Sequence, residues 1–208
     1  MAVAHSFSYS FSAHGLAGAR GERWLFEGLD LTVAPGEALV VTGPNGTGKT
    51  TLLRILAGLL PAVEGSVAWQ PAPPEGRAAF HYLGHQNSVK GAMTGAQNLA
   101  FWQRLAGVRD ATALNAACRT FGIEDLVDLP ARVLSAGQQR RLALARLVAI
   151  PAPLWLLDEP TTALDAGSAA AFGAAVAAHR EAGGMAIIAT HQDLGLEPTF
   201  RLRLGPAE

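Results

Sequence analysis

Two patterns of apolar residues alternate along the chain: short continuous runs, and longer stretches in which apolar side chains recur at helical spacing. The continuous runs predict buried strands at residues 37–42, 78–83, 154–157 and 185–190, and no buried strand is expected after the last of these. Helical spacing predicts helices at residues 51–60, 135–150 and 166–181. Because strands and helices alternate, the pattern predicts an α/β fold with a mainly parallel sheet.

The remaining stretches carry different signals. Residues 24–33 alternate well enough for strands. Up to about His14 the N-terminal part shows no clear period, which leaves a frayed terminus and an edge strand as alternatives. From about residue 93 to 133 the pattern is helical and poor in strands, with Thr94 and Asp110 as N-caps, so we expect a helical insert.

A glycine-rich motif lies between the first buried run and the first helical stretch. It reads G-x-x-x-x-G-K-T, a phosphate-binding P-loop in the strand–helix context that such a loop needs. Its glycines let backbone N–H groups converge on an anion, next to the positive end of the helix dipole. Lys49 is expected to reach the β- and γ-phosphates, and the Thr50 hydroxyl to bind Mg²⁺. The candidate nucleotide-binding residues are Gly43, Pro44, Asn45, Gly46, Thr47, Gly48, Lys49, Thr50 and Thr51.

Two acids follow the apolar run that ends at Leu157. Asp158 and Glu159 are expected at the carboxyl edge of the sheet, where α/β proteins place their ligands. Asp158 suits Mg²⁺, and Glu159 is placed to polarise a water that attacks the γ-phosphate. The alternative is a pair of solvated acids in a loop. The P-loop in the same chain makes that alternative less favoured.

A second candidate anion site begins at Ser135, which caps the helix predicted at residues 135–150. Small residues after this serine leave backbone N–H groups open, although an ordinary capped helix has the same pattern. Arg140 and Arg141 follow; they either support the packing of two copies of the chain or are plain solvated charges.

Composition limits the classes of function. The chain has 208 residues, is 50% hydrophobic and 16% charged, and carries a net charge of −1, so we expect a packed core and no nucleic-acid binding. Cys118 is the only cysteine, which excludes an intrachain disulfide and fits a reducing compartment. No stretch has the pattern of a membrane span or of a secretory signal, so a membrane role is expected to depend on a partner.

The order of the motifs resembles that of ATP-binding-cassette (ABC) ATPases. The shared motifs, from about Leu16 onward, are the P-loop, Gln86, L-S-A-G-Q at 134–138, L-L-D-E-P at 156–160, A-L-D at 163–165, and His191. The resemblance implies a P-loop NTPase fold with a mainly parallel core sheet, an antiparallel β edge and a helical insert. It also implies one ABC domain over residues 1–208, with a core at about 16–86 and 151–208 and a helical subdomain at about 87–150.

The resemblance further implies roles for individual residues. A second subunit would complete the site, with two ATP molecules held in a head-to-tail homodimer. Gln86 would contact Mg²⁺ or water, and His191 would hydrogen-bond the γ-phosphate beside Glu159. The signature-loop residues Ser135, Gly137 and Gln138 of one chain would contact the ATP bound to the other chain. Asp165 would contact the dimer partner.

Two positions depart from the family pattern. Where relatives carry an aromatic residue that stacks on adenine, this chain has Arg20, which can stack by cation–π contact. Trp24 is nearby, and the sequence does not choose between the two. Ala136 stands where many relatives have glycine, a small change that keeps the loop open.

Finer features resemble the ATP-binding subunits of bacterial cytochrome c maturation haem exporters. These are the short length, Y-L-G-H-Q at 82–86, M-T at 93–94 with N-L at 98–99, and L-S-A-G-Q-Q-R-R at 134–141. The resemblance implies polytopic membrane partners and a place on the cytoplasmic face of the inner membrane. Nothing in the sequence binds haem directly, since His81 and His85 are expected on a strand and a loop.

Three alternatives stay open: the ATPase of another small-substrate or lipoprotein transporter, a soluble ABC protein that acts on ribosomes or nucleic acid, and an ATP-binding scaffold without activity. The absence of paired cassettes and basic patches weighs against the second. The presence of Glu159 and His191 weighs against the third.

Overall fold

The structure, a computed structural model, describes residues 6–74, 79–192, 194–195 and 197–205. Its strands are β1 (Ser10–Arg20), β2 (Arg23–Val33), β3 (Ala38–Thr42), β4 (Glu64–Gln70), β5 (Phe80–Leu83), β6 (Leu154–Asp158), β7 (Met185–Ala189) and β8 (Phe200–Arg203). Its helices are α1 (Lys49–Leu56), α2 (Gly95–Leu105), α3 (Ala111–Thr120), α4 (Ala136–Ala149) and α5 (Ala166–Glu181), with short 3-10 turns at Glu124–Leu126 and Ala131–Val133.

The strands form two sheets. The larger has the order β5-β6-β7-β3-β8, and all its neighbouring strands are parallel. The smaller has the order β2-β1-β4 and is antiparallel. The predicted α/β class, with a parallel core and an antiparallel part, is therefore confirmed.

Both faces of the parallel sheet are buried, which explains why its strands are continuous apolar runs. One face, which includes Leu156 and Ile187, packs with α1 and the antiparallel sheet. The other, which includes Leu157 and Ile188, packs with the helices that follow β5. The sheet therefore holds the loops at its carboxyl edge on a rigid frame.

Capping residues begin the helices between β5 and β6. Thr94 and Ser135 each form a capping box, and the Asp110 side chain accepts a hydrogen bond from Ala113 N. The predicted N-caps Thr94 and Asp110 are confirmed. α1 begins two residues earlier than predicted and ends at Leu56, because Gly58 takes a left-handed conformation with φ of 66°.

One part of the secondary-structure prediction is wrong. Residues 10–14 are neither frayed nor at an edge, because they belong to β1, the central strand of the antiparallel sheet. Register shifts after Ala13 and a left-handed Gly15 break the alternation that would have shown this strand; residues 1–5 lie outside the described part. β8 follows β7, the last predicted buried strand, and was not predicted, because its largely exposed residues give no apolar run.

Candidate functional site

The P-loop connects β3 to α1 at the carboxyl edge of the parallel sheet. Gly43 and Gly48 have φ of 139° and 105°, a region in which a side chain is strained. A Cβ on Gly43 would also lie 2.2 Å from the carbonyl oxygen of Leu204, so the backbone passes too close for any other residue. The Lys49 ammonium donates to the carbonyl oxygens of Gly43 (2.7 Å) and Pro44 (3.2 Å), which holds the cation over the loop.

A cavity of about 360 Å³ opens above this loop. Its lining contains predicted phosphate-binding residues, the two acids at the end of β6, one residue each from β1 and β2, and one from the loop after β5. The lining residues are Arg20, Leu25, Asn45, Gly46, Gly48, Lys49, Thr50, Thr51, His85, Asp158 and Glu159. Residues far apart in the sequence thus form one pocket with a cation and N–H groups on one side and carboxylates on the other.

Asp158 ends β6 beside the start of α1. Its side chain is 1% exposed, and its Oδ2 accepts a hydrogen bond of 2.8 Å from the Thr50 hydroxyl. The predicted Mg²⁺ ligands Thr50 and Asp158 are therefore neighbours. Hydroxyl and carboxylate oxygens are donors that Mg²⁺ accepts, and the ion commonly takes its other ligands from phosphates and water.

Glu159 follows with its backbone in the left-handed region, at φ of 48°. Its Oε1 lies 2.9 Å from Nδ1 of His191, and its Oε2 accepts a hydrogen bond of 3.3 Å from the Thr190 hydroxyl. The carboxylate is therefore held from two sides by residues that follow β7. It faces the cavity, where it can accept a proton from a water.

His85, rather than Gln86, reaches the acids. Nε2 of His85 lies 3.3 Å from Oδ2 of Asp158, and His85 lines the cavity. Gln86 is exposed and lies outside the lining, because the chain bends at residues 85 and 86. The metal or water contact of Gln86 stays a prediction. From the sequence, His85 was judged only as a possible haem ligand, and its contact with Asp158 was not predicted.

The cavity extends toward Arg20 and Leu25 and not toward Trp24. Trp24 lines a separate cavity with Thr47 and Arg203. Arg20 and Trp24 were the two candidates for stacking on the nucleotide base, and of these only Arg20 lines the P-loop cavity.

The signature residues lie away from this cavity. Ser135 Oγ accepts from Gln138 N at 3.2 Å, and Gln138 Oε1 accepts from Ser135 N at 2.8 Å, so both side chains cap α4. A Cβ on Gly137 would lie 2.8 Å from the carbonyl oxygen of Ala163, which explains the glycine. Ser135, Gly137 and Gln138 do not line the P-loop cavity of their own chain.

Asp165 begins α5 and also lies outside the cavity lining. Its Oδ1 accepts a hydrogen bond of 2.7 Å from Ser168 N, and hydrogen bonds from Ser168 hold the pKa of the exposed Asp165 carboxyl below its usual value. The structure thus gives it a local capping role, which leaves its predicted dimer contact untested.

The two arginines after the signature differ. Arg140 is 3% exposed and bonds to residues around both acids, so a plain solvated charge is excluded for it. Burial lowers the pKa of Arg140 to about 10, while Asp158 and Glu159 oppose that shift. Arg141 is partly buried and donates to the carbonyl oxygens of Phe121 and Gly122.

His81 and His179 are buried beneath the sheet and not at the cavity. His81 Nε2 lies 2.8 Å from the carbonyl oxygen of Ile150, and the His179 ring stacks on Trp155 at 4.0 Å. Burial, which disfavours the charged form, lowers the pKa of each to about 4.

A P-loop whose cavity is lined by a pair of acids at the carboxyl end of another strand of the same sheet, β6, defines a P-loop nucleoside triphosphatase. Comparisons with known proteins narrow this class. The family model described as "ABC transporter" matches residues 26–162. The chain belongs to the ABC transporter family, and it is the ATP-binding, ATP-hydrolysing part of such a system.

Relatives with high sequence identity share one description. The chain is 47% identical to "Cytochrome c biogenesis ATP-binding export protein CcmA" of Paramagnetospirillum magneticum over 94% of each chain. It is 47% identical to the protein of that name in Rhodospirillum rubrum, over 89% of this chain and 82% of the relative. Among solved structures, an ABC transporter ATP-binding protein of Pyrococcus furiosus matches with a TM-score of 0.82 at 23% identity, over 94% of this chain and 97% of the other.

Among the described residues, no helix has the length and apolar character that a bilayer crossing requires.

Proposed function

We propose that this chain is the ATP-hydrolysing subunit of an exporter for cytochrome c biogenesis. The two relatives named for cytochrome c biogenesis support the proposal, since each is 47% identical to this chain over most of its length. The observation that carries the hydrolytic mechanism is the Glu159 carboxylate, which faces the P-loop cavity and is held at 2.9 Å by His191.

The P-loop binds the phosphates in this proposal. Backbone N–H groups of the P-loop residues after Pro44 and the Lys49 ammonium surround the β- and γ-phosphates. Thr50 and Asp158 hold Mg²⁺, as their oxygen donors 2.8 Å apart support. When bound, the ion offsets the charge that develops on the phosphate oxygens.

Glu159 acts as the base that orients and deprotonates the attacking water. Its contacts with His191 and Thr190 fix the carboxylate and prevent it from turning away. His191 is 58% exposed at its side chain, so its ring can also face the γ-phosphate. Two groups, one from the loop after β6 and one from the loop after β7, are thereby aimed at the reacting phosphate.

The site works between two copies of the chain. Ser135 and Gly137 lie outside the cavity of their own chain, and the start of α4 offers N–H groups to an anion. We place them on the γ-phosphate of ATP bound to a second copy in a head-to-tail dimer. Asp165, at the start of α5, would lie at the same dimer contact.

Coupling to export requires membrane subunits, which this chain would join at the cytoplasmic face of the inner membrane. The description of the family as a transporter family and the export function in the relatives' name support such partners.

Glu159→Gln tests the hydrolytic role. We expect kcat for ATP to fall by roughly a thousandfold, because a neutral amide cannot take the proton from water. ATP binding should persist, and gel filtration with ATP should show a dimer. Glu181→Gln is the matched control, because Glu181 is exposed at the end of α5. Near-normal turnover in Glu159→Gln would refute the role.

A further inference from the structure

Arg140 lies on α4, five residues after Ser135, and its guanidinium is surrounded by acceptors from other parts of the chain. It makes five hydrogen bonds of 2.6 to 3.0 Å. Four go to backbone carbonyl oxygens and one to the side chain of Asn87. The acceptors are the carbonyl oxygens of Gly84, Asp158, Glu159 and Pro160, and Oδ1 of Asn87.

Three of these acceptors are consecutive, from Asp158 to Pro160. Consecutive carbonyls point in one direction only when the backbone turns, and here the turn is the left-handed conformation of Glu159 at φ of 48°. Such a conformation costs about 1–2 kcal/mol for a residue with a side chain. Its shortest stabilising contact is the 2.6 Å bond from Arg140 to the Glu159 carbonyl.

The same turn decides where the Glu159 carboxylate points. With the backbone in this conformation, the side chain meets His191 and Thr190 at the cavity. The remaining bonds of Arg140, to Gly84 and Asn87, reach the loop that places His85 beside Asp158. One buried side chain therefore links the signature helix to two segments of the cavity.

We propose that Arg140 is a positioning residue for ATP hydrolysis: it holds the left-handed turn that aims Glu159, and ties that turn to α4 and to the loop at 84–87. Arginine suits this role because it offers five N–H donors in a fixed plane, whereas a lysine ammonium offers three and cannot reach all five acceptors. The proposal rests on the hydrolytic role proposed for Glu159.

The test compares Arg140→Met and Arg140→Lys with Arg146→Met. Arg146 is a matched control because it lies on the same helix, is 4% exposed and donates to a backbone carbonyl, that of Tyr82, away from the cavity. We expect Arg140→Met to lower kcat about a hundredfold with KM for ATP changed less than about threefold, as a misplaced catalytic group does. Arg140→Lys should recover only part of the loss, and Arg146→Met should keep the wild-type kcat.

A double-mutant cycle separates positioning from general structure. Single-turnover hydrolysis is measured for Arg140→Met in the wild-type and in the Glu159→Gln background. If Arg140 acts through Glu159, the second background shows no further loss. An equal loss in both backgrounds, or wild-type kcat in the Arg140 variants, would overturn the proposal.

Arg140→Lys, which keeps the charge, takes the place of Arg140→Met in the cycle if the latter does not fold. Turnover in Glu159→Gln alone tests the underlying role of Glu159, so a failure there is distinguishable from a failure of the Arg140 proposal.

Discussion

At the scale of single residues, the site depends on backbone conformations that few residues adopt. Gly43, Gly48 and Glu159 all have positive φ; Gly43 and Gly48 belong to the P-loop, and Gly48 and Glu159 line the cavity. The glycines adopt these conformations at little cost, whereas Glu159 does so only with support from its neighbours. The left-handed conformation of Glu159 therefore costs stability at a residue that we assign to hydrolysis.

Gly43→Ala tests why the first P-loop glycine is required. The new Cβ would overlap the Leu204 carbonyl at 2.2 Å, in addition to the strain at φ of 139°. We expect ATP binding to be lost and the free energy of unfolding to fall by more than about 2 kcal/mol.

Gly46→Ala is the matched control for that prediction, since Gly46 has φ of 83° with nothing within 4 Å of an added Cβ. It should lose only about 1 kcal/mol, from backbone strain alone. Urea unfolding of both variants measures the difference, and equal losses would show that the close approach to Leu204 does not matter.

At the scale of elements, β5, β6 and α5 share a buried layer that contains two histidines. His81 on β5 and His179 on α5 are both buried, with pKa values of about 4. An unfolded histidine has a pKa of about 6.5, so between these values the unfolded chain binds more protons than the folded one. Their contribution to stability is present above pH 6.5 and is lost as the pH falls toward 4.

The difference between the folded and unfolded pKa values of these histidines predicts how steeply the free energy of unfolding changes with pH. Between about pH 6 and 5 the free energy of unfolding should fall by roughly 1 kcal/mol per pH unit for each buried histidine, beyond the effect of other groups. His81→Gln keeps a donor for the Ile150 carbonyl and should reduce the slope, measured by urea unfolding at both pH values.

At the scale of the whole molecule, the signature loop of a chain lies outside the P-loop cavity of the same chain. The P-loop cavity contains residues from β6 and from the loops after β3 and β5, but none from the start of α4. In the head-to-tail dimer that we propose, the P-loop of one copy and the signature loop of the other would together form each site.

Mixing two inactive variants tests this arrangement. Lys49→Ala removes the phosphate-binding cation, and Ser135→Arg blocks the signature loop. A mixed dimer has one site with both defects and one intact site, so up to about a quarter of wild-type ATPase activity should return on mixing. The control is each variant alone at the same total concentration, which should stay inactive. No recovery would indicate that each chain completes its own site.

Local sequence patterns predicted the P-loop, the buried strands β3, β5, β6 and β7, the helices between them, and the caps of α2, α3 and α4. These features follow from local chemistry: glycines at sharp turns, apolar runs in a sheet buried on both faces, and Ser, Thr or Asp at helix starts. The paired acids were also readable, because a strand pattern ends directly before them.

Which side chains meet became visible only in the folded chain. Arg140 was indistinguishable from a solvated arginine, because its five acceptors come from segments 18 to 56 residues away. His85 was placed beside Asp158 by the bend after β5, and β1 was hidden by its bulges. Contacts of this kind depend on the packing of distant segments, for which a linear pattern of residues carries no signal.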